Sequence, residues 1–289
     1  MTFAALLTKE LRSRLRRERT AWVLVAYVLL MGLIGVFFIM NANNNSAFSS
    51  GGISNAGVIL YIILSSGQML LTLFITPAYT ATAINGEKER QTFDLLVCSQ
   101  LTAASLLSGK LVAGLVNALL LVAVAIPLFS LVFFFGGISL LQFFGTLLVY
   151  TSTALFIGTI GLFWSTLLPR PAMSTAVTYL SCLFWIISPA IVVYLWFAFA
   201  HQFPSSDQSL VISLWNPAYA LVSTFPGTTS MSPHWLVAPP WLIYVGANIL
   251  VSLLFFLLCV GNVKPMPAWG RRKRGRVVLK NVPAPSSTI

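Results

Sequence analysis

The sequence predicts an all-α polytopic membrane protein. It has six transmembrane helices, an N-terminal interfacial amphipathic helix, and a cytoplasmic amphipathic helix between spans two and three. Three observations carry this. Only 8% of the residues are charged and 57% are hydrophobic, with a mean hydropathy of +0.88, whereas an average soluble domain carries about 25% charged residues. The apolar stretches between charged segments are each about one or two bilayer crossings long. The 17 Lys and Arg gather at the borders of those stretches, which is how basic residues set orientation in a membrane. A soluble globular enzyme and a disordered chain are both excluded.

Met1 to Thr20 places Phe3, Leu7, Leu11 and Leu15 on one helical face and Lys9, Arg12, Arg16 and Arg19 on others. That pattern predicts a helix lying in the membrane interface. The first span is Ala21 to Met40, about 30 Å of helix and too long for a cleaved leader. The linker Asn41 to Gly57 has no charge and lies outside. The second span is Val58 to Ala83, with Pro77 near its inner end. Residues 111–169 carry no charge although Lys110 and Arg170 border them. Two basic borders on one side demand an out-and-back hairpin, with spans at Leu111–Phe135 and Leu141–Leu168 and the outer turn at Gly136-Gly137. Pro169 to Pro171 is a short inner turn. The fifth span is Ala172 to Ala200. His201 to Pro240 holds six prolines and is too polar to cross, although Asn216-Pro217 can start a short outer helix. The last span is Trp241 to Val260. All 17 Lys and Arg then lie inside, both termini are cytoplasmic, and Asp207 is the one ionised group outside.

The chemistry of the spans is sparse. Gln68, Asn117 and Asn248 are their larger polar residues, and helix–helix hydrogen bonding accounts for them. No ionisable residue sits at mid-depth, where a coupled carrier would need one. The phosphate-cradling pattern G-x-x-x-x-G-K-[ST] is absent, since Ser108-Gly109-Lys110-Leu111 lacks both the earlier glycine and the hydroxyl after the lysine. His201, Asp207 and His234 match no metal-ligand spacing. Cys98, Cys182 and Cys259 are odd in number and imply free thiols. Arg271 to Arg276 follows a span and reads as an anionic-lipid anchor, not a nucleic-acid patch. These residues imply no cofactor, no metal and no catalytic group on this chain.

One segment exceeds what a tether needs. Between Ile84 and Leu101, a helix would place Glu87, Arg90, Gln91 and Asp94 on one face and Phe93, Leu96, Val97 and Gln100 on another. Such a helix needs lipid or a protein partner to cover its leucines. The run Glu87-Lys88-Glu89-Arg90-Gln91-Thr92-Phe93-Asp94-Leu95-Leu96, then Leu101-Thr102 and Gly109-Lys110-Leu111, resembles the E-x-E-x-x-T-x-D/E-L-L…L-[ST]…G-K-L signature of ABC transporter permeases of the ABC-2 type. The basic N-terminus, Pro127 in the third span, and Asn216-Pro217 with Ala220-Leu221 before the last span agree with that family. Gln91, where the family commonly has Gly, and Cys98-Ser99-Gln100 depart from it.

The resemblance implies an ABC-2 type transmembrane domain over residues 1–263 with a basic cytoplasmic tail at 264–289. It implies a permease that pairs with a second permease subunit, as homo- or heterodimer, and docks a separate ABC ATP-binding subunit that carries ATP and Mg. Glu87, Glu89, Arg90, Thr92, Asp94, Leu95 and Leu96 would then belong to a coupling helix seated in the ATPase. The expected function is ATP-driven export, from a prokaryotic cytoplasmic membrane, of a lipid-like or amphipathic substrate suited to apolar, aromatic and hydroxyl side chains. The competing expectation is a membrane anchor or assembly subunit that recruits a cytosolic partner and moves no solute. An intramembrane enzyme is disfavoured by the lack of His, Asp or Glu pairs in the spans.

Overall fold

The computed structural model describes residues 18–42, 52–89, 103–136, 138–225 and 238–262. Among these the regular structure is entirely helical: α1 Glu18–Ala42, α2 Gly52–Thr80, α3 Asn85–Glu89, α4 Ala103–Phe135, α5 Leu140–Leu167, α6 Pro171–Ala200, α7 Ser206–Ser213, α8 Pro217–Val222 and α9 Pro240–Asn262. In hydrocarbon every backbone N–H and C=O must be satisfied within its own segment, so apolar runs of this length fold as helices. Five helical stretches, within 57–89, 104–130, 140–167, 171–200 and 240–262, are long and apolar enough to cross a membrane. α1 contributes a shorter apolar stretch, Val25–Phe37.

Helix α5 is the centre of the bundle. It packs against α2, α4, α6, α8 and α9, and most of its length is buried, whereas α6 is mostly exposed. Small residues make this possible. Gly145, Thr146, Ser152, Thr153, Ala154, Gly158, Gly161 and Ser165 are all buried on α5, and helices in lipid associate through close backbone approach at such positions. Gly161 is the tightest: a Cβ there would collide with Thr80 Oγ1 and sit 3.1 Å from the Ala81 nitrogen. Hydroxyl and phenol groups bridge the helices around α5. Tyr150 donates to the Ser65 carbonyl at 2.9 Å, Thr153 and Tyr244 share a hydrogen bond of 2.8 Å, and Thr146 meets Thr224 at 2.9 Å.

Helix α6 is held differently. Its buried residues are Ser174, Thr178, Cys182, Trp185 and Pro189, spaced three or four apart and so confined to one narrow seam. Leu180, Leu183, Phe184, Ile187, Ile191 and Phe199 point away from the bundle.

The turns follow their sequence signals. α4 stops at Phe135, and Gly136 takes φ +77°, a conformation that glycine adopts without cost. Ser139 and Gln142 form a reciprocal capping box at the start of α5. Asn216 caps α8, and its side-chain amide donates to the Ile186 carbonyl of α6 at 3.0 Å. Cys182 and Cys259 are buried free thiols, as expected; Cys98 lies outside the described residues.

Several boundaries differ from the sequence reading. α4 begins at Ala103, well before Leu111, because Lys110 is paired within the fold and does not end the helix. α2 stops at Thr80, short of the expected Ala83, and a turn over Ala81–Ile84 follows. α7 lies within His201–Pro240, where the sequence points to one short helix after Asn216-Pro217 and not to this one; Ser205 and Gln208 cap it reciprocally. The N-terminal amphipathic segment up to residue 17, residues 43–51 of the linker expected at Asn41–Gly57, and residues 263–289 lie outside the described residues.

Candidate functional site

The segment that carries the family signature leaves the bundle where the ends of α2, α4, α5 and α6 meet. Pro77 lies inside α2, and its carbonyl accepts from the Ala81 amide at 2.9 Å. The chain then changes hand-over pattern. The Ala83 amide reaches back only to Thr80, and those of Glu87 and Lys88 both go to Ile84. The amides of Ile84 and Asn85, donors at the start of α3 that lack a backbone partner, bond instead to the Ser165 hydroxyl at 3.0 and 3.1 Å. Ser165 on α5 is thus a cap supplied from another helix.

Three further links fix this corner. The Ser174 hydroxyl on α6 donates to the Ala81 carbonyl at 2.8 Å. Lys88 Nζ donates to the Thr166 carbonyl at 3.0 Å. Lys110 Nζ on α4 meets Glu87 Oε1 at 2.8 Å, in a salt bridge whose side chains are 9% and 27% exposed respectively. Lys110 therefore reaches from one half of the signature, Gly109-Lys110-Leu111, to the other half at Glu87. Buried beside them is Asn85, with no hydrogen bond to either end of its side-chain amide. Lys88, Glu89, Leu167, Pro169, Arg170 and Pro171 line an open cavity of about 290 Å³ at the same corner.

Of the residues singled out in the sequence, Glu87 and Glu89 are described. Glu87 is engaged by Lys110, and Glu89 is exposed at the cavity. Arg90, Thr92, Asp94, Leu95 and Leu96 lie outside the described residues. Sequence reasoning missed Ser165, Ser174 and Thr166. Ser165 and Ser174 look like any small residue in an apolar helix, and Thr166 acts through its backbone, so neither left a signal. Lys110 did leave one: a lone cation at the border of an uncharged run needs a counter-charge, and Glu87 belongs to the same signature.

The polar residues expected to bond between helices are buried. Gln68 accepts from the Tyr27 hydroxyl, joining α2 to α1. Asn117 and Asn248 are 4% and 1% exposed, and Asn117 Oδ1 has no partner. Among the described residues no three His, Cys, Asp or Glu side chains gather into a metal site. His201 caps the end of α6 at φ 51°, Asp207 sits in the first turn of α7, and His234 lies outside the described residues.

Helices of this length and apolarity, arranged around a buried central helix and joined at one polar corner, define a multi-pass membrane protein. A family model described as ABC-2 family transporter protein matches residues 4–261, and the chain belongs to that family. It is therefore a membrane permease component of an ABC transporter, and membership implies association with an ABC ATP-binding subunit. No curated protein matches the chain.

Proposed function

We propose that the chain is the transmembrane half of an ATP-driven exporter, with ATP and Mg held by a separate ATPase subunit and with no cofactor, metal or catalytic group of its own. It crosses the cytoplasmic membrane of a prokaryote six times, α1 being the first crossing, with both termini inside and a second permease copy or homologue as partner. The substrate is lipid-like or amphipathic, in keeping with the apolar and aromatic character of the helices. Glu87–Leu96 forms the coupling segment. Glu89, Arg90, Thr92, Asp94, Leu95 and Leu96 face the ATPase, while Glu87 braces the base of the segment on Lys110.

The observation that carries this reading is the anchoring of α3. A loop that only floated on lipid would not need its first turn bonded to two transmembrane helices, α4 and α5, and the turn before it to a third, α6. Co-expression with an ATP-binding subunit, followed by co-purification, tests it. Leu96→Asp, which would bury a charge at an apolar contact, should lower the bound ATPase at least about tenfold, while Glu89→Ala should change it less. Wild-type retention of ATPase by Leu96→Asp and Glu87→Ala together would refute the coupling role. A permease that binds the ATPase but shows no nucleotide-driven change of conformation would instead favour the anchor reading.

A further inference from the structure

At the junction of α2 and α3, two hydrogen bonds of an ordinary helix, those of the Ile84 and Asn85 amides, have given way to bonds with two serines. In a continuous α-helix the Asn85 N–H would bond to the Ala81 carbonyl. Here the Asn85 N–H is taken by Ser165 Oγ at 3.1 Å and the Ala81 carbonyl by Ser174 Oγ at 2.8 Å. Ser165 also takes the Ile84 N–H at 3.0 Å. Both serines are fully buried. They stand on either side of the Pro169–Pro171 turn, one on α5 and one on α6. Side chains inserted into the i→i−4 ladder interrupt a helix as a rigid rod. Of the i→i−4 bonds across this junction, that of the Gly86 N–H to the Thr82 carbonyl at 3.0 Å remains, so a displacement of α3 is carried along α2 by an interrupted ladder and loads the two serines.

Resting on the coupling reading above, the geometry points to Ser165 and Ser174 as the positioning residues that pass movement of the ATPase-bound segment into α5 and α6. The step is mechanical. When α3 shifts with the bound ATPase, the Ile84 and Asn85 amides pull on α5, and the Ala81 carbonyl pulls on the first turn of α6. With both serines gone, the Ile84 and Asn85 N–H groups can close on the Thr80 and Ala81 carbonyls, α2 and α3 become one helix, and α6 loses its hydrogen bond to it, while α5 keeps that of Lys88 to the Thr166 carbonyl.

Hydrogen exchange on the permease–ATPase complex in lipid nanodiscs, with and without Mg-ATP, tests this without needing the transported substrate. In the wild type, Mg-ATP should alter amide exchange both in residues 84–89 and in the first turns of α6. In the Ser165→Ala/Ser174→Ala variant, the amount of bound ATPase should be unchanged. The response at 84–89 should persist, and the response in α6 should fall roughly tenfold, the factor in an equilibrium that one buried hydrogen bond commands. Ser165→Thr, which keeps a hydroxyl, should restore most of the response beside Ser174. A variant lacking both hydroxyls whose α6 responds as in the wild type overturns the inference. So does a variant that loses its ATPase, because the serines would then shape docking instead of transmission. A wild-type permease that holds no ATPase overturns the coupling reading, and this inference with it.

Discussion

Removing Glu87 should cost more than removing its partner Lys110. The pair is 2.8 Å apart, but the two ends are unequally wet: the lysine side chain is 9% exposed and the glutamate 27%. Exposed ion pairs contribute up to about 1 kcal/mol, and breaking a buried pair costs about 3–5 kcal/mol because a charge is stranded. This pair lies between those limits. Glu87→Gln takes the carboxylate away from an ammonium that water hardly reaches, and about 2 kcal/mol of destabilisation is expected. Lys110→Gln leaves a carboxylate that water can still hydrate, and about 1 kcal/mol is expected. In the double variant no charge is stranded, so its cost should fall below the sum of the singles by about 1 kcal/mol. Reversible unfolding in mixed micelles, followed by intrinsic tryptophan fluorescence, measures all three. High salt should weaken the effect only partly, since a half-buried pair is poorly screened. Additive single costs, or a larger loss for Lys110→Gln, would refute the assignment of this pair as the brace of α3.

Other outcomes follow from the same structure. Gly161→Ala forces a methyl against Thr80 and the backbone at Ala81 and should destabilise by roughly 1–3 kcal/mol. Gly145→Ala, whose Cβ would meet the Trp241 ring at 3.5 Å, should be nearly neutral; equal melting temperatures for the two would contradict the packing described. Single cysteines at Ser46 and Ser206, in a background without the native three, should label with an impermeant thiol reagent in whole cells, and protection of either site would break the six-span topology. The purified chain alone should neither bind nor hydrolyse ATP, as it has no phosphate-cradling loop. Activity that persists after every other polypeptide has been removed would contradict the division of labour between permease and ATPase.

What could be read in the sequence was what single residues or short windows dictate. The uncharged run bounded by Lys110 and Arg170, divided at Gly136-Gly137, gave α5 to within a residue, and the Pro169–Pro171 turn gave the start of α6, because in lipid the helix must run from one border to the other. Gly136 marked its turn and Asn216-Pro217 the start of α8 by backbone chemistry alone. Helix α7 was not read, although Ser205 and Gln208 stand at capping-box spacing, because the prolines and polar residues of the region overshadowed that signal. The early start of α4 was not legible, since Lys110 ends a helix only if its charge must be left in water, and Glu87 removes that need. Nor were Ser165 and Ser174. Their role exists only because α5 and α6 bring them to a break in α2, and that juxtaposition depends on how three helices cross.

Helix α6 meets the bundle along one line, from Ser174 through Thr178, Cys182 and Trp185 to Pro189. About 45 Å of helix is therefore attached as a door is to its post. Rotation about that line opens little buried surface beyond the hydrogen bonds of Tyr179 to the Phe74 carbonyl, Trp164 to Ser181 and Asn216 to the Ile186 carbonyl, whereas any shift of α5 would tear open contacts with five neighbours. The bundle thus has a stiff axle and a compliant panel, and Ser174 stands at the panel's hinge pin, one hydrogen bond from the turn that leads into the segment carrying the signature.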